Sequence, residues 1–136
     1  MGSLIYFINM KPILTKSDYS TIKELILNTP SHMITKEISL LAREIEKAKK
    51  VPDSKIEPQV IRINSVFEVQ DVSSGQLLNF QLTLPKDGNI AEKKLSILSP
   101  LGVALIGFQE GMEIEWVLPG GLKKLKILTV GTSVVS

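Results

Sequence analysis

The chain has 136 residues, of which 43% are hydrophobic and only 5% aromatic, so it can build one mainly aliphatic core. Its 16 basic and 14 acidic residues leave a net charge of +2, which predicts neither a nucleic-acid-binding field nor a membrane-binding one. It has no cysteine, which excludes disulfides, thiol catalysis and cysteine metal sites, and no apolar run long enough to cross a bilayer, so we expect a cytoplasmic protein.

The two ends of the chain carry little structural signal. Residues 1–9 contain an apolar patch, Leu4–Ile8, but lack the basic region and the cleavage site of a signal peptide. We interpret residues 1–9 as an upstream start or an added remnant, with the functional chain beginning at Met10. Residues 131–136 show no strong periodicity, and we expect them to form a flexible tail.

The first third of the chain predicts two helices. Thr15, with Asp18 three residues later, forms a capping box that starts a helix ending before Pro30. In the second helix, predicted over 34–50, apolar residues recur at spacings of four and three, as in a coiled coil. These residues are Ile34, Ile38, Leu41, Ile45 and Ala48. We predict an antiparallel helical hairpin, a short coiled coil, whose apolar seam is covered by the first helix or, in a weak self-association, by another chain.

From Gln59 the hydrophobic period changes to two, which predicts strands instead of helices. The predicted strands are 60–63, 66–72, 78–84, 95–97, 112–118 and 122–130, the last with Lys123, Lys124 and Lys126 pointing to solvent. We therefore predict an α+β chain. A helical hairpin at 10–51 and a linker at 52–58 precede a mostly antiparallel β-sheet domain at 59–130 with one short helix.

Few residues carry the chemistry of an active site. His32 is the single histidine and has no acid near it in the sequence, so we interpret it as a solvated loop residue. Glu113 and Glu115 share one face of a predicted strand, which is typical of a solvated face and not of an acid/base pair. The three lysines of the last strand have no interleaved aromatic residues, so nucleic-acid stacking is not indicated. The residues favour a binding module without a metal ion or cofactor.

The stretch 95–121 is the most informative part of the sequence. Ser99 and Pro100 are the cap and the first residue of a short helix, and Gly107 falls where a helix ends in a left-handed turn. Ala104 and Leu105 lie within this helix and suit packing against a sheet, because so short a helix is not stable alone.

This stretch, L-S-I-L-S-P-L-G-V-A-L-I-G followed by M-E-I-E-W-V-L-P-G-G, resembles the Gre transcription factors of bacteria. It is still more similar to the Rnk branch, named as regulators of nucleoside diphosphate kinase. The residues that match the pattern of that branch, and the turn that follows, are Pro100, Gly102, Ala104, Leu105, Gly107, Pro119 and Gly120. The resemblance implies an FKBP-like fold for the sheet domain and a bacterial protein that binds RNA polymerase.

In Gre factors, the segment that matches Ser99, Pro100 and Leu101 contacts a coiled coil at the rim of the polymerase secondary channel. Acids at the hairpin tip hold a metal ion that activates RNA cleavage. The tip here comprises Thr29, Pro30, Ser31 and His32 and has no Asp or Glu, the ligands that a hard cation needs. The predicted second helix of the hairpin would be only roughly 25 Å long, well short of the long arm of a Gre factor. The resemblance and these departures predict a non-catalytic transcription regulator, not an enzyme, without sequence-specific nucleic-acid contacts.

Two alternatives remain open at the level of sequence. The protein could regulate another partner, such as a nucleoside diphosphate kinase, as the name of the Rnk branch suggests. By fold analogy it could also be an FKBP-type prolyl isomerase, which needs a cluster of aromatic residues around the proline ring. The candidates for such a cluster are Phe67, Phe80, Phe108 and Trp116.

Overall fold

The computed structural model describes residues 11–118 and 121–132, at 116–118 and 132 for the backbone alone. Within these ranges the chain is α+β, as predicted. Its helices are α1 (Lys16–Leu27), α2 (Lys36–Lys47) and α3 (Pro100–Leu105). Its strands are β1 (Ile13–Thr15), β2 (Lys49–Val51), β3 (Ser65–Asp71), β4 (Leu77–Thr83), β5 (Lys94–Ser96), β6 (Glu113–Leu118) and β7 (Gly121–Thr132).

The strands form two sheets of unequal size. The larger sheet has the order β5-β4-β3-β7-β6 and is antiparallel except for the β4–β5 pair, so the predicted mostly antiparallel sheet is confirmed. The smaller sheet is a parallel pair, β1 with β2, which no pattern in the sequence indicates. It lies at the base of the helical hairpin, where β1 leads into α1 and β2 follows α2.

The hairpin is shorter than the sequence predicted. The helix expected over 34–50 spans only Lys36–Lys47, 12 residues or roughly 18 Å. Thr35 caps its start, and Ala48 already has an extended backbone. The prediction was wrong at the C-terminal end because the following residues pair with β1, a tertiary contact that replaces further helical turns.

The two helices of the hairpin run antiparallel. Tyr19 Oη donates hydrogen bonds at 2.9 Å to both carboxylate oxygens of Glu46, which joins the start of α1 to the end of α2. Lys23 Nζ lies 3.2 Å from the same carboxylate. These contacts lower the pKa of Glu46, mainly through the Tyr19 hydrogen bond. The buried seam residues are Ile22, Ile38, Leu41 and Ile45. The classification of the helical hairpin as a coiled coil stays a prediction.

One prediction about the sheet was wrong. Residues 60–63 do not form a strand: Val60 makes a single bridge to Gln109, and the chain then turns, with a hydrogen bond of 3.0 Å from Ser65 N–H to the carbonyl of Arg62. In β7, Lys124 and Lys126 are exposed, whereas Lys123 lies on the opposite face and is half-buried, because alternate residues of a strand point to opposite faces. At the C-terminal end, β7 continues to Thr132, beyond the predicted limit of 130, and residues 133–136 lie outside the described residues.

One buried cluster joins the hairpin to the sheet. It contains Leu41 and Ile45 of α2, Val103 and Leu105 of α3, and sheet residues such as Val69. The helix α3 crosses the sheet and packs against α2 on its other side. Within the described ranges, the helices are too short to cross a bilayer. The division at 52–58 into hairpin and sheet domain, and the FKBP-like classification of that domain, stay predictions.

The cap of α1 leads to a stability prediction. Thr15 is fully buried, and its Oγ1 accepts a hydrogen bond of 3.0 Å from the backbone N–H of Asp18. We expect Thr15→Ala to lower the free energy of unfolding by about 1–2 kcal/mol in urea titrations, because the cap bond is lost. Thr15→Ser keeps the hydroxyl and should retain most of the stability. An equal loss in both variants would assign the effect to the methyl group instead.

Candidate functional site

The start of α3 is built around the Ser99 hydroxyl. Its Oγ accepts a hydrogen bond of 3.1 Å from the backbone N–H of Gly102 and donates one of 2.6 Å to the carbonyl of Ser96. Pro100 occupies the first helical position, where a missing N–H costs nothing. Because Ser99 already donates and accepts internally, a partner at this site would contact mainly the surface of Pro100 and Leu101.

The side chains at this helix start are half-buried. Ser99, Pro100 and Leu101 are all of intermediate exposure, and Leu98 and Leu101 pack partly against the core. The exposed part of this surface therefore contains both polar and apolar groups, and the capped helix holds them in place. Such a surface suits a contact with another protein, because little side-chain entropy remains to be lost on binding.

Gly102 allows α3 to approach the neighbouring strand very closely. A Cβ atom at this position would lie 2.2 Å from the backbone oxygen of Ser96 and 3.1 Å from the Cα of Ile97. Ala104 and Leu105, two residues of the same helix, are fully buried. Gly102, Ala104 and Leu105 therefore have a packing role, because they determine how closely α3 approaches the sheet.

Gly107 ends the motif at the junction with the hairpin. Its φ of +85° lies in the left-handed region that favours glycine. Its carbonyl accepts a hydrogen bond of 2.8 Å from the N–H of Ile13, the first residue of β1. Pro119 and Gly120, the remaining motif residues, lie outside the described residues.

The hairpin tip carries apolar and hydroxyl groups in place of acids. Ser31–Met33 form one 3₁₀ turn, and the Thr29 hydroxyl donates a hydrogen bond of 2.8 Å to the carbonyl of Leu25. Leu27 and Met33 are 74% and 57% exposed, and Pro30, Ser31 and His32 are exposed as well. Across residues 11–118 and 121–132, no group of three or more His, Asp or Glu residues could hold a metal ion.

Two of the four aromatic residues considered for a proline pocket are buried in the core. Phe67 and Phe108 are each only 4% exposed and belong to the core. Phe80 is half-buried beside Phe67, with ring centroids 6.3 Å apart. The side chain of Trp116 lies outside the described residues. Burial of Phe67 and Phe108 leaves little aromatic surface with which to hold a proline ring.

The charged residues of the outer sheet face neutralise one another. Glu113 lies directly across from Lys126, and Glu115 lies across from Lys124. Lys124 Nζ also approaches a carboxylate oxygen of Glu113 at 3.8 Å. The acids were predicted to form a solvated strand face, and these cross-strand neighbours give the physical basis for that interpretation.

The sequence did not indicate a polar cluster that lies at the base of α1. Asp18 is 7% exposed; its Oδ2 accepts a hydrogen bond of 3.2 Å from the N–H of Ile63 and lies 3.7 Å from Arg62 Nε. Asp53 Oδ1 accepts a hydrogen bond of 3.2 Å from the N–H of Ser17, and its Oδ2 accepts one from the Ser17 hydroxyl. These bonds lower the pKa of Asp53, whereas burial is the main cause that raises the pKa of Asp18.

The raised pKa of Asp18 predicts a pH effect of definite sign. Above the ordinary value of 3.8, and up to the raised value, the folded chain binds a proton that the unfolded chain has released. Stability from this group therefore falls as pH rises through that window. On acidification from about pH 7 to about pH 4, urea titrations should show the wild type gaining stability relative to Asp18→Asn. A relative loss would mean that the Arg62 ion pair outweighs burial.

The sequence family described as "Transcription elongation factor, GreA/GreB, C-term" matches residues 56–132, more than half of the chain. The chain belongs to the GreA/GreB family. The matched part of this GreA/GreB protein includes α3 and the whole five-stranded sheet.

Individual relatives agree with this assignment. The transcription elongation factor GreA of Syntrophus aciditrophicus is 37% identical over 62 residues, 46% of this chain and 38% of that protein. The regulator of nucleoside diphosphate kinase of Escherichia coli K12 is 26% identical over 99 residues, 73% of each protein. The aligned part is thus well under half of the length of that elongation factor. The predicted resemblance to both branches of the GreA/GreB family is confirmed.

Solved structures extend the likeness over the hairpin. A structure titled prokaryotic transcription elongation factor GreA/GreB, from Nitrosomonas europaea, has a TM-score of 0.74 and 30% identity. The match covers 90% of this chain and 98% of that one. The Gfh1 protein of Thermus aquaticus, at a TM-score of 0.50 and 19% identity, supports the fold alone. Because the match to the Nitrosomonas europaea structure covers 90% of the chain, it extends beyond the sheet into the hairpin.

Proposed function

We propose that this GreA/GreB protein is a non-catalytic transcription regulator that binds bacterial RNA polymerase near the secondary channel. The observation that carries the proposal is the capped start of α3, where Pro100 and Leu101 form a half-buried, rigid surface on the family motif. Membership of a family described as transcription elongation factors supports polymerase as the partner. The docking residues are Ser99, Pro100 and Leu101, with Pro100 and Leu101 supplying most of the contact surface.

The absence of cleavage chemistry is the second half of the proposal. Between Glu24 and Glu37 the hairpin has no carboxylate, and its tip presents Leu27 and Met33 to solvent. A divalent cation that activates water for RNA cleavage needs hard oxygen ligands, usually carboxylates. We infer that the protein occupies the docking position without supplying a metal ion, and that it competes there with cleavage-competent Gre factors.

A second candidate is regulation of a nucleoside diphosphate kinase. The supporting observation is the similarity to the Escherichia coli regulator of that name, which extends over 99 residues, 73% of each protein, and so beyond the length of the sheet domain alone. Under this candidate the same helix start, or the hairpin, would contact the kinase. An FKBP-type prolyl isomerase has less support, because two of its four candidate aromatic residues are buried in the core.

One set of measurements separates these candidates. The full chain is titrated against bacterial core RNA polymerase and, in parallel, against nucleoside diphosphate kinase. We expect saturable binding to polymerase, displacement by GreA, and no cleavage of the transcript in a backtracked complex. Saturable binding to the kinase alone would contradict the docking proposal, and cleavage of the transcript would contradict the non-catalytic half. Turnover of a proline peptide at catalytic concentrations would favour the isomerase.

A further inference from the structure

Gly107, just after α3, is a junction between three segments. The Gly107 carbonyl accepts a hydrogen bond of 2.8 Å from Ile13 N–H at the entry to the hairpin. On its other side, Gly107 N–H donates a bond of 2.8 Å to the carbonyl of Ile61, just after the linker. Ile61 N–H in turn donates to the carbonyl of Phe108 at 2.9 Å. The helix that begins at the docking surface therefore ends in bonds to both segments that flank the hairpin.

The contact at this junction is too close for a side chain. A Cβ atom on Gly107 would lie 2.6 Å from the Cβ of Pro12 and 3.1 Å from the backbone nitrogen of Ile13. The strand β1 starts at Ile13 and leads directly into α1. A side chain at position 107 would thus push away the strand from which the hairpin grows.

Apolar packing holds the second helix to the same place. The helix α2 packs against α3, and a small apolar recess lies between them. Residues that line it include Pro12, Leu14, Leu41, Ile45, Val103 and Phe108. The recess is continuous with the core, so both the entry strand and α2 rest on the C-terminal half of α3.

A polar contact secures the other side of the hairpin base. The buried Asp18 carboxylate accepts a hydrogen bond from Ile63 N–H and faces Arg62, whose Nε has no hydrogen-bond partner within the described ranges. Beside it, the exposed Asp53 binds both the N–H and the hydroxyl of Ser17. The start of α1 is therefore tied both to the linker and to the segment that follows it, at positions distinct from Gly107.

We propose that Gly107 and Asp18 are positioning residues that hold the hairpin in one direction relative to the docking surface. One helix, α3, presents Ser99, Pro100 and Leu101 at its start and carries the hairpin base at its end. Contact of a partner with the start of α3 then determines where the tip, around His32, is delivered. This last step rests on the proposed docking function, whereas the fixed direction is a property of the free protein.

Distance measurements on the free full-length chain test the proposal. Because the chain has no cysteine, His32→Cys in the tip and Thr129→Cys on the exposed face of β7 allow two spin labels to be attached selectively. Pulsed electron paramagnetic resonance should give one narrow distance distribution. Adding Gly107→Ala should shift or broaden it, at a temperature where circular dichroism shows the variant to be folded. A glycine with a merely structural role would lower stability and leave the distance unchanged.

A second variant keeps the test decisive if Gly107→Ala does not fold. Asp18→Ala removes the acceptor of Ile63 N–H and the partner of Arg62 and should broaden the same distribution. The matched control is Glu113→Ala, which removes a carboxylate paired with Lys124 on the sheet surface and should change nothing. A broad distribution in the wild type, or an unchanged one in both positioning variants, would overturn the proposal. A narrow wild-type distribution without polymerase binding would reject only the proposed function.

Discussion

Replacing Gly102 with alanine is expected to destabilise the folded chain by about 3 kcal/mol, the upper end of the usual cost of overpacking. The new Cβ would lie 2.2 Å from the carbonyl oxygen of Ser96, which is backbone and cannot move aside without displacing β5. Helix propensity alone predicts the opposite effect on stability, since alanine in place of a helical glycine normally stabilises a helix by up to about 1 kcal/mol. Thermal unfolding should show a loss of roughly 10 °C.

A matched variant separates this contact from a general effect of losing a glycine. A Cβ on Gly131 would find only Val66 Cγ2 at 3.8 Å, an ordinary contact, so Gly131→Ala should stay within about 0.5 kcal/mol of the wild type. We also expect Gly102→Ala to weaken any binding at Ser99, Pro100 and Leu101, because α3 must lift away from the strand. If the two alanine variants were equally stable, the close approach of α3 to Ser96 would be contradicted.

Leu101→Asp is expected to remove detectable RNA polymerase binding, a loss of at least about 100-fold in affinity, or roughly 3 kcal/mol. Leu101 is half-buried beside the capped helix start, so a carboxylate there would be desolvated in any tight protein contact without an assured partner. Titration of core polymerase with labelled protein measures the change. Pro100→Ala combined with Leu101→Asp should show the same loss, since both act on one surface.

The control for this variant is Leu77→Asp at the start of β4. Leu77 is 50% exposed and lies across from Gln70 at the turn between β3 and β4, so the chemical change is the same at an unrelated surface. Its affinity for polymerase should remain within about threefold of the wild type. Circular dichroism confirms that both variants are folded. Full binding by folded Leu101→Asp would contradict the assignment of the docking surface to the start of α3.

The proposed docking surface and the hairpin tip have different chemistry, and this difference defines the proposed role. The start of α3 has the Ser99 cap and the close packing at Gly102, which would hold the proposed contact surface in place. The tip has no carboxylate and exposes Leu27 and Met33. A protein of this kind would act by occupying a position on polymerase, not by supplying a catalytic group.

Local chemistry determined much of this architecture from the sequence alone. Ser99 and Pro100 predicted the start of α3, and Thr15 predicted the start of α1, because a cap depends on residues only a few positions apart. The alternation of apolar residues predicted β3 and β4 for a similar reason, since Phe67 and Val69 are buried on one face of β3, and the apolar residues Leu78, Phe80 and Leu82 of β4 are buried or half-buried. The motif around α3 was also enough to identify the GreA/GreB family. These are the features whose physical causes lie within one turn of helix or one strand.

Only the tertiary structure decided how the hairpin is attached. The second helix was predicted to run to Lys50, but Lys49–Val51 form a strand because β1, more than thirty residues earlier, offers backbone partners. Asp18 reads in the sequence as a capping residue, yet its carboxylate binds Ile63 N–H across the linker. The left-handed turn at Gly107 was predicted, but its contact with Pro12 was not. Backbone pairing and burial between distant segments carry no local periodicity, so the sequence determined the elements and the fold decided the direction of the hairpin.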